Sequence, residues 1–172
     1  MKILKDKTRL TTAVLTLLLM TSTFLLLANT SVQAQQVTGS LPAGITPDAT
    51  VDTQIYLSFR PNPVGLGQTF LVNLYTVPAP GANRLHKDFT ITITKPSGVT
   101  TFTMDSYPDD GTAWFEWIAD EVGDWTINFD FLGTYYPAGI YMDGEMVPEP
   151  IGRSTTTYTE SVYYKPASTG EQ

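Results

Sequence analysis

Apolar and polar residues alternate along most of the chain beyond residue 50. Ile55, Leu57 and Phe59 occupy every second position of one run, and the same spacing recurs over 125–131. A period of two is typical of β-strands that bury one face and expose the other. The pattern predicts seven strands, at about 53–59, 68–77, 88–95, 99–104, 111–118, 124–132 and 155–164.

Turn-forming residues separate these predicted strands. Clusters rich in Pro, Gly and acidic residues occur at 78–81, 96–98, 109–111 and 121–124, and no segment after residue 34 has helical periodicity. Short strands divided by turns at this spacing are typical of antiparallel sandwiches. We therefore predict an all-β fold, an Ig-like antiparallel β-sandwich of about seven strands in one domain.

The first 34 residues have the pattern of an export signal. Four basic residues lie within 2–9, a mostly apolar stretch follows over 10–28, and Val32-Gln33-Ala34 resembles a signal-peptidase site. We predict cleavage after Ala34. The alternative is an uncleaved membrane anchor, because the apolar stretch is about long enough to span a bilayer.

Composition sets the other boundaries. Residues 35–50 are polar and small with several Gly and Pro, and the end of the chain has the same character. Such segments are typical of flexible or extended connections. The predicted organisation is a signal peptide at 1–34, a linker at 35–50, the sandwich at 51–166 and a C-terminal tail at 167–172.

The predicted mature chain is strongly acidic. The whole chain has ten basic and seventeen acidic residues, and four of the basic residues and one of the acidic residues lie in the export segment. The predicted mature chain therefore has six basic and sixteen acidic residues, a net charge of −10. Such a surface repels phosphate backbones and anionic lipid. We expect no nucleic-acid partner, and membrane contact only through an uncleaved N-terminal segment. The chain has no cysteine, so we expect a secreted or cell-surface domain held together by packing alone.

Two prolines and two glycines interrupt the chain between the first two predicted strands, in the stretch PNPVGLG at 61–67. A dinucleotide-binding loop needs Gly-x-Gly-x-x-Gly before a helix, but the third glycine position is Phe70, within a predicted strand. Proline cannot donate to a β-ladder and is confined to edges and breaks, whereas Gly65 and Gly67 permit a tight turn. The stretch therefore predicts a turn at the rim of a sheet.

Catalytic patterns are weak in this sequence. His86, the single histidine, lies in a predicted loop without a nucleophile motif, so we expect its side chain to be exposed to solvent. Glu116, Asp120 and Glu121 could supply the carboxylate pair of a glycosidase, yet acidic residues in turns commonly serve local hydrogen bonding. We expect a protein that is not an enzyme and has no cofactor.

Three acidic residues raise the question of a metal. Asp105, Asp109 and Asp110 could present oxygen atoms to Ca²⁺. Their spacing fits no EF-hand loop, and Asp110-Gly111 is a good hairpin turn. We predict a turn here and assign no metal ligand, with calcium binding left open.

The connection from Gly133 to Ser154 is long for a compact domain. It carries Tyr135, Tyr136 and Tyr141 among turn-forming residues, and tyrosine is favoured at contact surfaces. One interpretation is a surface on which these three tyrosines contact a protein or carbohydrate partner at the cell exterior. The alternative is a flap that packs over the open end of the sandwich.

The tryptophans divide between core and surface. Trp114 and Trp117 fall on opposite faces of their predicted strand, and Phe115 shares the face of Trp117. We predict that the face of Trp117 is buried and that Trp114 is exposed, where it could contact a partner. Trp125 begins an alternating strand and is predicted to belong to the core.

Three segments carry a resemblance to a known class of module: LSFRPNPVGLGQTFLVNLYT at 57–76, DFTITITKPSGVT at 88–100 and DEVGDWTINFDF at 120–131. They resemble the N-terminal Ig-like module of exported archaeal multidomain proteins, in which such a module often precedes a PQQ-type β-propeller. The likeness covers about residues 53–165 and extends more broadly to prokaryotic Ig-like surface domains. It implies a β-sandwich at the cell exterior and says little about activity.

These observations favour a non-catalytic, exported interaction or spacer module at the cell surface that binds through the 133–154 loop. One alternative is a structural subunit of a surface layer or filament, in which an edge strand or the 35–50 arm pairs with a neighbour. Another is a secreted polysaccharide hydrolase acting through the carboxylates named above.

Overall fold

The computed structural model describes residues 34–142 and 154–170. The strands are β1 (Val37–Thr38), β2 (Ala49–Val51), β3 (Gln54–Arg60), β4 (Thr69–Val77), β5 (Phe89–Lys95), β6 (Gly98–Met104), β7 (Thr112–Ile118), β8 (Thr126–Phe131), β9 (Thr134–Tyr136), β10 (Gly139–Met142), β11 (Thr155–Tyr158), β12 (Val162–Tyr164) and β13 (Ala167–Ser168). In these two stretches we find no helix with the length and apolar character needed to cross a membrane. The predicted signal or anchor segment lies outside the described residues, apart from Ala34.

Two antiparallel sheets form the sandwich. One has the strand order β3-β4-β7, and the other has the order β13-β8-β5-β6. Turns join β3 to β4 and β5 to β6, whereas the chain changes sheets between β4 and β5, between β6 and β7, and between β7 and β8. This is the Ig-like arrangement, in which neighbours in sequence are shared between two facing sheets. The structure confirms the predicted all-β, Ig-like fold class.

The inward faces of the two sheets share one core. Every second side chain of β4, β5 and β8 is buried, as the alternating sequence predicts. The least exposed apolar side chains are Val72, Leu74, Phe89, Ile91, Ile93, Phe129 and Phe131. Burying each such large side chain stabilises the fold by roughly 1.5–3 kcal/mol. Packing of these side chains therefore stabilises the fold without any disulfide, since the chain has no cysteine.

Six of the seven predicted strands match β3 to β8 with shifts of only a few residues. The seventh, 155–164, is divided into β11 and β12, which belong to different sheets. The division occurs at Ser161, whose backbone N–H and hydroxyl both donate to the Asp48 carboxylate, at 2.8 and 2.7 Å. Because this carboxylate holds the bend from a distant part of the sequence, the local pattern of 155–164 does not show it.

Five further strands are short and were not predicted. β1 and β2 lie mostly within the predicted linker, and β13 lies within the predicted tail. β1 pairs with β9, β13 pairs with β8, and β2 pairs with β12 in parallel, which departs from the antiparallel expectation. Segments of two to four residues are too short to show alternation, so their pairing depends on tertiary contacts.

The strand directions decide which loops lie together. We call one end of the sandwich the lower end; it holds the loop 61–68, the turn 96–97 and the loop 119–125. We call the other the upper end; it holds the connections 78–88 and 105–111 and the segments 132–142 and 154–166. The small sheet β1-β9-β12-β2 and the strand pair β10-β11 lie there.

Candidate functional site

His86 lies in the core of the upper end, and the expectation of a solvent-exposed side chain is wrong. Its exposed fraction is 0%, and its ring packs against Phe131 at 4.6 Å and Tyr164 at 5.0 Å between centroids. The loop folds inward because its backbone is bonded to Ser106, which accepts the His86 N–H at 2.9 Å and donates its own N–H to the His86 carbonyl at 2.8 Å.

Burial holds the imidazole of His86 in its neutral form, and its hydrogen bonds select the tautomer. The Tyr136 hydroxyl donates its proton to the Leu85 carbonyl at 2.7 Å. Its oxygen therefore accepts a hydrogen bond from His86 Nδ1, which lies 3.0 Å away, and this bond places the imidazole proton on Nδ1. Nε2 has no hydrogen-bond partner among the described residues. A proton added there would be a charge in an apolar site without an acceptor, and this burial lowers the pKa of His86 from 6.5 to about 3.

Arg84 is the second polar residue drawn into the upper end. Only 3% of it is exposed, and its guanidinium carbon lies 3.4 Å from the ring centroid of Tyr158, 4.4 Å from that of Tyr141 and 4.8 Å from that of Tyr136. Nε and Nη2 have no hydrogen-bond acceptor in the part of the chain that the structure describes. The negative faces of the rings therefore take the place of a carboxylate in stabilising this buried cation.

The tyrosines predicted to contact a partner are divided by this arrangement. Tyr136 and Tyr141 are buried, and their hydroxyls donate to the carbonyls of Leu85 and Pro137, each at 2.7 Å. Their side chains are therefore part of the packing of the upper end and not of its surface. Tyr135 is half-buried in β9. The remainder of the predicted contact loop, 143–153, lies outside the described residues.

The three aspartates considered for calcium each accept hydrogen bonds from a turn. Asp105 accepts the N–H of Asp88 at 3.1 Å, and Asp109 accepts that of Asn83 at 2.6 Å. Asp110 accepts both the N–H and the hydroxyl of Thr112, at 2.8 and 2.9 Å. Within 34–142 and 154–170, no three acidic or histidine side chains cluster in a way that could hold a metal ion. These carboxylates shape the turns of the upper end.

The carboxylates considered for glycoside hydrolysis do not face each other across a cleft. Glu116 lies on the outward face of β7, opposite Leu71 of β4. Asp120 forms an ion pair with Lys95 at 2.7 Å, and Glu121 accepts the N–H and hydroxyl of Ser97 at 3.2 and 2.7 Å. The Lys95 contact lowers the pKa of the Asp120 carboxyl. Asp120 and Glu121 thus attach the loop 119–125 to the turn 96–97.

A pocket opens at the lower end, between the loops 61–68 and 119–125. We call it the lower pocket. Its volume is about 520 Å³, and Phe59, Phe70, Trp125 and Ile127 form its apolar floor. Trp125 meets Phe70 edge-to-face at 6.0 Å between ring centroids, so the floor belongs to the packed core. A pocket of this size and lining suits an apolar guest.

Backbone hydrogen bonds fix the first wall of the lower pocket and explain the sequence PNPVGLG. Gly67 N–H donates to the Ala119 carbonyl at 2.7 Å, and Ala119 N–H donates to Gln68 at 2.9 Å, which ties the two loops together. Gly67 has a φ of 78°, a left-handed conformation that glycine adopts without strain. The stretch is a turn at the sheet rim, as predicted, and it also forms one side of a cavity, which was not predicted.

A close packing contact fixes the second wall of the lower pocket, which is the loop 119–125. At Gly123, with a φ of 142°, an added Cβ would lie 2.5 Å from Cγ of Pro96. Only glycine therefore allows the loop 119–125 to lie against the turn 96–97. The Lys95 ammonium lies 5.5 Å from the ring centroid of Trp125, over the same region. Together with the ion pair to Asp120, these contacts hold the wall in one position.

The lips of the lower pocket are apolar and exposed. Leu66 is 64% exposed and Val122 is 81% exposed, one on each loop. Beside them are the carboxylates of Glu121 and Asp124, and Asp124 makes no hydrogen bond or ion pair with any described residue. Sequence reasoning missed this site, although apolar residues inside turn-forming segments were a signal that could have indicated it.

The predicted division of tryptophans is confirmed. Trp114 is 50% exposed, whereas Trp117 and Phe115 are half-buried and pack against the core. Trp125 also packs against the core, at the floor of the lower pocket. Trp114 stands on the outward face of the β3-β4-β7 sheet.

Comparisons of this chain with known protein families, with curated proteins and with solved structures find no match.

Proposed function

We propose that this chain is a non-catalytic interaction module of the cell exterior and that it contacts its partner through the lower pocket. The observation that carries the proposal is a cavity of about 520 Å³ that has an apolar floor and two largely exposed apolar lips, Leu66 and Val122. Binding sites are usually concave, mostly apolar and largely pre-formed. Exposed apolar groups beside such a cavity mark an interaction surface.

The exterior location is supported by the sequence. The N-terminal segment has the basic, apolar and small-residue pattern of an export signal, and the remaining chain has the acidic composition of a soluble surface module. The resemblance to Ig-like modules of exported archaeal proteins supports the same location. A spacer role is compatible with this proposal, because a rigid sandwich can both separate neighbouring domains and bind at one end.

The proposal places the contact at the lower end, whereas the tyrosines of the 133–154 loop belong to the upper end. Tyr136 and Tyr141 are buried there, so a partner would reach them only if their packing came apart. The lower pocket needs no such rearrangement, because hydrogen bonds and packing contacts already hold both of its walls.

A second candidate, a subunit of a surface layer or filament, is favoured by one observation. Among the described strands β3 pairs only with β4, so the other edge of Gln54–Arg60 can accept a strand from a neighbouring chain. The 35–50 arm, which was also expected to reach a neighbour, pairs within its own chain through β1 and β2. Scattering intensity per unit mass that rises with protein concentration would favour this candidate.

The pocket proposal is tested by binding of the purified protein to the cell-envelope fraction of its source organism. The double variant Leu66→Asp and Val122→Asp places charges at both lips, and we expect at least tenfold weaker binding. Val99→Asp is the matched control, since Val99 is as exposed as Leu66, at 64%, and does not line the pocket. Binding that is unchanged in the double variant, or lost equally in the control, would overturn the proposal.

A further inference from the structure

We infer that the lower pocket takes an apolar side chain, aromatic or branched, that is carried by a basic segment of a partner protein. This inference rests on the proposed function and concerns the chemistry of the partner. It follows from three features: the floor of the pocket, the charges beside its lips and the rigidity of its walls.

The floor accepts a compact apolar group. Phe59, Phe70, Trp125 and Ile127 present ring faces and aliphatic surface, and no carboxylate or ammonium lies among them. Aromatic pairs in offset or edge-to-face contact gain about 0.5–1.5 kcal/mol beyond the burial of their area. An aromatic or branched side chain in the cavity would therefore bury its surface mainly against Phe59 and Trp125, which are half-buried, above the buried Phe70 and Ile127.

The charged side chains that line the pocket are both acidic. Glu121 and Asp124 line the pocket, and no lysine or arginine does. The nearby Lys95 is already paired with Asp120 at 2.7 Å and lies within 3.7 Å of Glu121. Asp124 has no partner among the described residues and is exposed. A basic group next to the apolar anchor would complete this arrangement, whereas an acidic group would be repelled.

The Trp125 ring already has a basic side chain of the same protein beside it. The Lys95 ammonium lies 5.5 Å from its ring centroid, so one cation is drawn to the aromatic edge of the pocket. The chain as a whole carries a net charge of −7, which adds a long-range attraction for a basic partner at low ionic strength. Anionic lipid and acidic peptides are disfavoured for the same reason.

The rigid walls favour a pre-formed anchor site over an adaptable surface. Backbone hydrogen bonds of Ala119 with Gly67 and Gln68 connect the two loops, and Gly123 packs against Pro96. Binding then requires little ordering of the site, which lowers the entropic cost of association. An anchor that fits this cavity gains most of its affinity from the pocket, while the neighbouring basic group selects the partner.

The test uses three small probes that share a phenyl group and differ in charge: 2-phenylethylammonium, 2-phenylethanol and 3-phenylpropionate. Their binding to the full-length protein is followed by NMR shifts of the Trp125 indole and the Val122 methyl groups. We expect the ammonium probe to bind at least about threefold more tightly than the alcohol, and the carboxylate to bind most weakly. These differences in affinity should become smaller at high salt.

Two variants separate the possible outcomes. Asp124→Asn should weaken binding of the ammonium probe more than binding of the alcohol, because it removes an exposed carboxylate, unpaired among the described residues, from the pocket lining. Leu66→Asp should weaken binding of the alcohol. Equal binding of all three probes, or tightest binding of the carboxylate, would overturn the inference and leave the pocket as a binding site. No binding of any probe would overturn the proposed function as well.

Discussion

Burial of His86 predicts a specific loss of stability in mild acid. The pKa of His86 is about 3 in the folded chain, and an unfolded histidine has a pKa of about 6.5. Below pH 6.5 the unfolded state takes up a proton that the folded state does not, so the free energy of unfolding falls as the pH falls toward 3. The stabilisation is present above pH 6.5 and is lost through this window.

The size of the effect follows from the two pKa values. One pKa unit corresponds to about 1.4 kcal/mol, so the linkage removes about 2 kcal/mol between pH 7 and pH 5, and about 3 kcal/mol by pH 4. This is a large part of the 5–15 kcal/mol that is typical of a folded domain. Carboxylates also titrate below pH 5, and a variant without the imidazole is needed to isolate the histidine.

The assay compares the natural chain with His86→Leu. Leucine has a similar volume and no titratable group, and the Tyr136 hydroxyl keeps its bond to the Leu85 carbonyl. Urea unfolding followed by tryptophan fluorescence gives the free energy of unfolding of each protein at pH 7 and pH 5. We expect the natural chain to lose about 2 kcal/mol more than the variant.

The same experiment can refute the reasoning. If the two proteins lose equal stability between pH 7 and pH 5, then His86 is not buried in its neutral form. An NMR titration of the His86 Cε1 proton gives the folded pKa directly. A midpoint near 6.5 would show that the ring reaches water and would contradict the packing against Phe131 and Tyr164.

Two further substitutions test the contacts that hold the two ends. Arg84→Lys should lower the free energy of unfolding by about 1–2 kcal/mol, because an ammonium cannot stack flat on the tyrosine rings; an unchanged urea midpoint would contradict the stabilisation of Arg84 by the rings of Tyr136, Tyr141 and Tyr158. Gly123→Ala should cost about 1–3 kcal/mol through the contact with Pro96. Gly98→Ala is its control, since Gly98 has a similar φ of 151° and open space around it, and equal losses in the two variants would exclude the clash.

The sandwich was predictable because its strands carry long alternating runs. Six predicted strands correspond to β3 to β8, each of six to nine residues, and the inward positions of β4, β5 and β8 are the buried ones. In such runs burial depends mainly on which face a residue occupies, and a period of two fixes the face. The exposure of Trp114 and the partial burial of Trp117 follow from the same rule.

The upper end was not predictable because its contacts join distant parts of the chain. His86 is hydrophilic and lies in a loop, and it becomes a core residue through packing against distant aromatic residues, among them Tyr136, 50 residues away, and Tyr164. Asp48 holds the bend at Ser161 across 113 residues. A pattern read over a window of ten residues contains neither partner, so local polarity indicated exposure where tertiary packing produced burial.

The two ends of the sandwich both depart from the rule that polar side chains are exposed and apolar side chains are buried, and they do so in opposite ways. At the upper end polar side chains, Arg84 and His86, enter the core and are enclosed by aromatic rings. At the lower end apolar side chains, Leu66 and Val122, stay in water although a cavity lies beside them. Burial of these side chains would be favourable, so their exposure requires that the loops cannot close over the cavity. The backbone hydrogen bonds of Ala119 with Gly67 and Gln68 supply that restraint, because they hold the two loops at a fixed separation and keep the cavity between them open.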